Sequence, residues 1–277
     1  MSIMEQLIGR GSWGSSVYKV SEDVVSKRLL NCQYNTLTNG EPLSMYLTIS
    51  HKNIVKYLYF YCNDNNFGYI GQEYCQYTLE DFVQNNELSF LFQQSLIKDV
   101  LCGLSLLHNY DPSIVHRHLT PYNVFVHNGV AKLSDYGLLK SPFDVSLTSN
   151  AHIRKRTKWI AREILIARDN NLPITYTKEA DIQLAGMLTY YVLSKGRFPF
   201  EHTSIITDYY IYTGQYCIDS IGKDTHGYNL IKQMIDSNPL YRLNVDMCLK
   251  HPFFWTSVTI VQHVIKYQLG NNLISHN

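Results

Sequence analysis

Residues 115–137 read VHRHLTPYNVFVHNGVAKLSDYG, and this stretch decides the fold. Two runs of strand character, 124–127 and 130–133, flank the pair Asn128-Gly129. An Asn-Gly pair between two such runs is a strong signal of a tight two-residue β-hairpin. The predicted hairpin leads from the polar loop before it, 116–123, to the Asp-Tyr-Gly turn after it.

The loop and the turn follow the pattern of the protein kinase family. The family's catalytic loop reads H-R-D-L-x-x-x-x-N, and its metal-binding turn reads D-F-G. His116 and Asn123 match the loop, and Asp135 matches the turn. His118 stands where the family has the Asp that accepts the proton of the substrate hydroxyl. The resemblance therefore implies a phosphotransfer scaffold in which the residue that engages the acceptor is replaced.

A second motif of the same family lies near the amino terminus. In LIGRGSWGSSVYKV, residues 7–20, a G-x-G-x-x-G pattern and a following valine have kinase spacing: Gly9, Gly11, Gly14 and Val17. Glycines let a β-hairpin close over phosphates without a Cβ clash. Dinucleotide-binding folds share the pattern but need a helix directly after the third glycine. Residues 15–20 have strand character instead, which favours the kinase interpretation.

Lys27 lies on the next predicted strand, residues 24–29. By the resemblance it binds the α- and β-phosphates, and Glu41 is the residue of helix αC that would pair with it. Pro42 follows directly, and proline is tolerated in the first turn of a helix but not in its interior. We therefore expect αC to begin near Glu41, which leaves open whether the Lys27–Glu41 pair forms.

Residues 69–75, YIGQEYC, have the character of a strand that runs into a hinge. By the same resemblance, Gln72 is the gatekeeper at the back of the nucleotide cleft. The backbone from Glu73 to Cys75 is then expected to meet the adenine edge. Thr78, followed by acidic residues, is the expected N-cap of the next helix.

Two sets of residues in the second lobe are expected to anchor its structure. Ala161-Arg162-Glu163 stands where the family has Ala-Pro-Glu, and Arg242 is placed to pair with Glu163. Asp181 and Gly186 fit the D-x-x-x-x-G pattern of a central helix. We expect most of these residues to stabilise the second lobe, whatever chemistry the cleft supports.

Four passages narrow the resemblance: YIGQEYCQYTLEDFV, VHRHLTPYNV, TKWIAREIL and KHPFFW. They are similar to the kinase homology domains of the inositol-requiring sensor of the unfolded-protein response and of ribonuclease L. In that family such a domain binds nucleotide and dimerises, and this assembles an attached ribonuclease domain. The 22 residues after Trp255 are fewer than the roughly 50 that a domain needs, so we expect no ribonuclease domain here.

The expected fold class is α+β, a bilobal protein-kinase-like fold. Its expected parts are a β-rich N-lobe with αC at 1–74, a mainly helical C-lobe at 75–255 and a helical extension at 256–277. The implied cofactors are ATP or ADP with Mg²⁺. Asn123 and Asp135 are the implied metal ligands.

Bulk properties restrict the function classes. A net charge of +1 gives no field that would recruit nucleic acid or an anionic membrane. The basic cluster at 154–156 is interpreted as a solvated loop, so no nucleic-acid partner is expected. Six cysteines without metal-type spacing indicate reduced thiols. We find no secretory signal and no run of about 18 apolar residues, and therefore expect a cytoplasmic protein without membrane contact.

Three functional interpretations remain. The first is an ATP-binding pseudokinase that dimerises with itself, ribonuclease L or the stress sensor. It would act as a truncated decoy, from which a virus evading ribonuclease L would gain. The second is a weakly active serine/threonine kinase with His118 as its base, because imidazole can accept a proton near neutral pH. The third is a scaffold with an empty cleft, which gives no reason to retain Lys27, Asn123 and Asp135.

Overall fold

The computed structural model describes residues 6–11, 14–38, 43–62, 66–138, 158–201, 207–262 and 265–266. A five-stranded antiparallel sheet forms the first lobe, in the order β1-β2-β3-β5-β4. Its strands are β1 (Gln6–Arg10), β2 (Ser16–Lys19), β3 (Val24–Leu30), β4 (Tyr57–Cys62) and β5 (Phe67–Glu73). This sheet and the helical second lobe confirm the predicted bilobal α+β kinase fold.

Two helices accompany this sheet. Helix α1 (Asn31–Thr38), which the sequence did not predict, lies against β5. A Cβ on Gly68 would lie 2.2 Å from the Tyr34 ring, so only glycine allows this close packing. Helix α2 (Ser44–Thr48) occupies the region predicted as αC. The predicted start near Glu41 and Pro42 lies outside the described residues.

The second lobe is mainly helical. Its helices are α3 (Leu79–Asn85), α4 (Phe90–His108), α5 (Arg162–Asp169), α6 (Lys178–Leu193), α7 (Thr207–Thr213), α8 (His226–Met234) and α9 (Val245–Lys250). Short 3₁₀ turns lie at Asp219–Ile221, Pro239–Tyr241 and Pro252–Phe254. Helix α6 is buried continuously from Ala180 to Val192, including the polar residues Asp181, Gln183 and Thr189.

A three-stranded sheet at the top of this lobe carries the hairpin that the sequence predicted. It consists of β6 (Tyr77–Thr78), β7 (Val124–His127) and β8 (Val130–Leu133). Asn128 and Gly129 have φ angles of 50° and 75°, the left-handed pair that a type I′ turn requires. The Val55 N–H donates to Leu133 O at 2.8 Å, which ties the hairpin to the segment before β4.

Three local predictions about the second lobe can be compared with the structure. The Thr78 hydroxyl accepts from the Asp81 N–H at 3.0 Å and caps α3, as predicted. The predicted Glu163–Arg242 pair is confirmed as a bidentate contact of 2.7 and 2.8 Å. Within the helical extension predicted at 256–277, residues 257–262 and 265–266 are helical. Residues 263–264 and 267–277 lie outside the described residues.

Helix α4 corrects one expectation. By length and composition alone it could cross a membrane, whereas the sequence analysis predicts no run of about 18 apolar residues. In the fold α4 packs against β8, α6 and α9, and four of its leucines are fully buried: Leu96, Leu101, Leu104 and Leu107. A core helix passes the same length and composition test. Its packing makes α4 the central helix of the second lobe.

Candidate functional site

The glycine motif forms a hairpin that closes over Lys27. Gly9 of β1 lies opposite Val17 of β2, and Gly14 has a φ of 72°. A Cβ on Gly11 would lie 3.9 Å from Lys27 Cε, so this glycine stands directly above the lysine side chain. A strand, not a helix, follows the third glycine. This observation confirms the kinase-type interpretation and excludes the dinucleotide fingerprint.

One face of the first sheet lines the cleft. Val17 pairs with Lys27, and Val25 pairs with Gln72. Residues directly opposite in a sheet share a face, and so do residues two apart on one strand. The four side chains therefore lie on the same side of the sheet as the glycine hairpin.

Lys27 forms an ion pair with Asp135, the acid of the Asp-Tyr-Gly turn. Both side chains are buried, with 4% and 1% of their surfaces exposed. The backbone of Asp135 is left-handed, with a φ of 60°, so the turn directs its carboxylate towards the first lobe. Glu41 lies outside the described residues, and its pairing with Lys27 stays a prediction. The partner that the structure shows for Lys27 is Asp135.

The catalytic loop is fixed by a buried acid on α6. Asp181 accepts from the backbone N–H groups of His116 and Arg117 at 2.6 and 2.9 Å, and contacts His108 Nε2 at 2.9 Å. Burial lowers the pKa of His116, which keeps this imidazole neutral near pH 7. Asp181 thus holds the loop through main-chain groups that any side chain at these positions would supply.

His118 is engaged by Asn123. The Asn123 amide nitrogen lies 2.8 Å from His118 Nδ1 and 3.0 Å from His118 O. A nitrogen with two hydrogens satisfies both acceptors, whereas an amide oxygen there would face a carbonyl oxygen. His118 Nδ1 is therefore the acceptor, and the neutral ring carries its proton on Nε2. The lone pair that would make this residue a base is directed at Asn123.

A backbone hydrogen bond joins Asn123 to Ser134, the residue before Asp135. The Ser134 N–H donates to Asn123 O at 2.8 Å, which fixes the turn against the loop. Within the ranges described, no group of three or more His, Cys, Asp or Glu side chains could hold a metal ion. Mg²⁺ needs few protein ligands when phosphates complete its shell. Asn123 Oδ1 and Asp135 therefore suit an ion that arrives with a nucleotide.

At the hinge, the Glu73 side chain is held by protein groups, whereas the Cys75 backbone is not. The Glu73 side chain accepts from the Lys56 N–H and from Lys132 Nζ, both at 2.8 Å. The backbone of Cys75 makes no hydrogen bond with any described residue, so it remains available to a ligand. Burial, with a smaller effect of Glu73, raises the pKa of the Cys75 thiol to about 12. This cysteine is an inert thiol at neutral pH.

The tyrosine of the Asp-Tyr-Gly turn connects the two lobes. Tyr136 is fully buried, with its ring centroid 4.9 Å from that of Tyr57 on β4 and 5.8 Å from that of Tyr46 on α2. A Cβ on Gly137 would lie 2.6 Å from the Tyr46 hydroxyl. The sequence signalled the turn but gave no sign of its two aromatic partners, because they lie far away in the chain.

Sequence reasoning also missed Ser134. Its hydroxyl lies 3.3 Å from Asp135 Oδ1 and 3.4 Å from Gln72 Oε1, so it joins the metal-binding turn to the gatekeeper. Its position directly before Asp135 was the one available signal. Of the predicted site residues, Lys27 contacts Asp135 and His118 contacts Asn123, while Gly11 and Val17 lie on the same side of the first sheet as Lys27.

Comparisons with known proteins agree with this geometry. The protein kinase domain family matches residues 3–254. The chain is 29% identical to the serine/threonine-protein kinase/endoribonuclease ire-1 of Caenorhabditis elegans, over 91% of this chain and 27% of that protein. Human serine/threonine-protein kinase/endoribonuclease IRE2 is also 29% identical, over 93% of this chain and 29% of its own length.

A fission-yeast relative and a solved structure extend the comparison. The sensor for unfolded proteins in the ER ire1 of Schizosaccharomyces pombe is 30% identical, over 92% of this chain and 27% of that protein. The chain thus spans less than a third of these curated relatives. The crystal structure of Rad53 1–466 with AMP-PNP has a TM-score of 0.72 at 20% identity, covering 92% of this chain and 65% of that one. The chain belongs to the protein kinase domain family.

Proposed function

We propose that this chain is a nucleotide-binding pseudokinase that has lost most phosphoryl transfer and regulates by pairing with another kinase domain. The observation that carries the proposal is the His118–Asn123 contact. It places a neutral imidazole, with its lone pair already engaged, at the position that needs an accessible base. Loss of a positioned base typically lowers a rate by about 10²–10⁴-fold.

Nucleotide binding is supported by the other side of the cleft. Lys27 and Asp135 meet beneath the glycine hairpin, and the backbone of Cys75 is available at the hinge. ATP or ADP with Mg²⁺ suits this set, since the lysine would contact phosphate oxygens while Asn123 and Asp135 take the ion. The Rad53 structure contains AMP-PNP, which supports the same cofactor class.

A weakly active serine/threonine kinase is the second candidate. Phosphoryl transfer depends mainly on positioning and on metal electrostatics, and the residues for both are retained. Appreciable autophosphorylation by the wild-type protein, abolished by Asp135→Asn, would favour this candidate over the pseudokinase.

The first experiment is thermal unfolding of the full chain with and without ATP and Mg²⁺. A ligand that binds only the native state stabilises it by about 2.7 kcal/mol at a hundredfold excess over Kd. We expect a clear upward shift in Tm that Lys27→Ala and Asp135→Ala abolish. Lys52→Ala is the matched control, because this lysine side chain is 70% exposed and lies outside the cleft. No shift at millimolar ATP would contradict nucleotide binding and favour the scaffold.

The regulatory part of the proposal concerns the partner. The relatives in worms and humans are named kinase/endoribonucleases, and this chain matches less than a third of each. We propose that it forms homodimers or pairs with the kinase homology domain of ribonuclease L or of the stress sensor. In a mixed pair it would act as a decoy in the cytoplasm. Co-purification with either partner and slower RNA cleavage are the expected results. If the chain associates with neither partner and RNA cleavage is unchanged, the proposed regulation by pairing is wrong.

A further inference from the structure

The first sheet has an outer face, turned away from the cleft and from Lys27. Alternate residues of a strand point to opposite faces, and residues opposite each other across a sheet share a face. Ser26 and Arg28 flank Lys27 on β3, so they lie on the outer face. Their cross-strand partners Tyr18 and Tyr69 lie there too. The register gives this face five aromatic side chains: Tyr18, Tyr59, Tyr61, Phe67 and Tyr69.

Both helices described in the first lobe cover the other side of the sheet. Helix α1 packs through Tyr34 onto Gly68, where a Cβ would lie 2.2 Å from the ring. Helix α2 packs through Tyr46 onto Tyr57, with ring centroids 6.3 Å apart. By the register, Gly68 and Tyr57 belong to the cleft side. On the outer face Tyr61 is 57% exposed, and the other four aromatic rings are partly exposed.

The π surfaces on this face adjoin one another. The Arg28 guanidinium lies between two rings, 4.7 Å from the centroid of Tyr18 and 4.9 Å from that of Phe67. The ring centroids of Tyr61 and Tyr69 are 6.0 Å apart. Because Tyr69 lies directly opposite Arg28, the two groups of rings are neighbours across the sheet.

The charge of the outer face suits an anion. Its basic residues are Arg10, Arg28 and Lys56. Glu73 is the one acidic residue in the five strands of this sheet, and it forms an ion pair with Lys132 at 2.8 Å. The net charge of the whole chain is only +1, but a stacking surface depends on the charge close to it.

We propose that the outer face binds single-stranded nucleic acid, with bases stacked on its aromatic rings and phosphates held by Arg10, Arg28 and Lys56. Aromatic side chains on a sheet stack unpaired bases, and this stacking tolerates any sequence because every base has a π face. Arginine supplies a planar cation that stacks on rings and also contacts phosphate. A second copy of this chain would instead bring the same basic residues to the interface, where like charges repel.

The test measures the Kd of a fluorescein-labelled oligothymidylate of about 12 nucleotides by fluorescence anisotropy on the full chain at low ionic strength. The comparison ligand is an abasic strand of the same length, which keeps the phosphates and lacks the bases. We expect the abasic strand to bind at least about fivefold more weakly. An oligouridylate of the same length shows whether RNA or DNA is the preferred ligand.

Tyr61→Ala removes the most exposed ring of the outer face and should raise the Kd of the oligothymidylate about fivefold or more. Tyr209→Ala is the matched control, because this tyrosine is 52% exposed but lies on α7 of the second lobe. It should leave the Kd unchanged.

No binding of the oligothymidylate or the oligouridylate to the wild type, or equal binding of the abasic strand, would overturn the inference. Equal effects of Tyr61→Ala and Tyr209→Ala would overturn it as well, because binding would then not depend on the outer face. A dimer that Tyr61→Ala dissociates, without oligonucleotide binding, would assign the face to a second copy instead. The comparison of the two strands on the wild type is decisive even if Tyr61→Ala does not fold.

Discussion

The two sides of the cleft differ in what they retain. On the nucleotide side, Lys27 and Asp135 bring opposite full charges together in a buried place. On the acceptor side, His118 and Asn123 form a neutral contact where a charged base belongs. Phosphates and Mg²⁺ need charged partners, whereas a neutral pair offers little to a substrate hydroxyl that must lose a proton. The difference supports the proposal of a nucleotide-binding pseudokinase.

The support beneath the loop explains how the acceptor side could change. Asp181 holds the loop through the backbone N–H groups of His116 and Arg117, not through the side chain at position 118. A change of residue 118 therefore leaves the architecture of the loop in place. Chemistry can be lost at this position without loss of the fold.

The largest expected effect is a loss of folding stability when Asp181, which supports the loop, is replaced. Asp181→Ala leaves two buried backbone N–H groups and His108 without their acceptor. Breaking a buried polar network of this kind costs about 3–5 kcal/mol. The free energy of unfolding in urea should fall by that amount. Asp219→Ala, which removes an exposed i,i+4 pair with Lys223, should change it by less than about 0.5 kcal/mol. A loss below about 1 kcal/mol for Asp181→Ala would show that the loop has other support.

The next prediction tests whether the acceptor side has lost phosphoryl transfer because position 118 carries no carboxylate. His118→Asp restores a carboxylate, so phosphotransfer measured by autophosphorylation should rise by about 10²-fold or more. His118→Asn is the matched control, because it removes the imidazole without adding a base, and it should show no gain. If His118→Asp also shows none, the cleft is disabled at a second place as well.

How much of the structure could be predicted from the sequence depends on how far apart the interacting residues lie in the chain. The hairpin around Asn128-Gly129, the Thr78 cap and the strand after Gly14 were predictable, because each depends on neighbours in the chain. The Glu163–Arg242 pair was predictable only through the family pattern, since 79 positions separate the two residues.

Side-chain contacts between residues far apart in the chain were not predictable, because they depend on the rotamers of both side chains. The ion pair of Lys27 with Asp135 spans 108 positions, and no local pattern indicates it. The bond from Asn123 to His118 Nδ1 was missed for another reason. The sequence shows that the base is replaced, but only the geometry shows that the new ring directs its lone pair at its neighbour. Helix α1 was missed because residues 31–38 are weakly amphipathic and contain polar and β-branched residues that are poor helix formers.

A smaller effect should appear in the pH dependence of stability. Burial lowers the pKa of His116 in the folded protein, while the unfolded chain takes up this proton near pH 6.5. Below that pH the unfolded state binds more protons, so stability falls as the pH falls. The contribution approaches about 1.4 kcal/mol per pH unit until the folded pKa is reached.

His51 and His251 are shifted in the same direction by burial, so their contributions add to that of His116. The measurement is the free energy of unfolding in urea between pH 7 and pH 5. His116→Phe, which removes one titrating group, should flatten the slope. A slope unchanged in this variant would show that the acid sensitivity comes from other groups.

The smallest expected effect probes the nucleotide side at its glycines. A Cβ on Gly11 would lie 2.5 Å from Ser15 Oγ, so Gly11→Ala must displace the buried Ser15 side chain, whereas a Cβ on Gly9 meets nothing within 4 Å. An off-rotamer side chain costs about 0.5–1.5 kcal/mol. If nucleotide binding needs the hairpin in its present place, Gly11→Ala should raise the Kd of ATP about twofold to tenfold. Gly9→Ala should leave it unchanged. Equal effects of the two variants would mean that the hairpin adjusts freely, and that Lys27, with Mg²⁺ bound to Asp135, holds the phosphates without it.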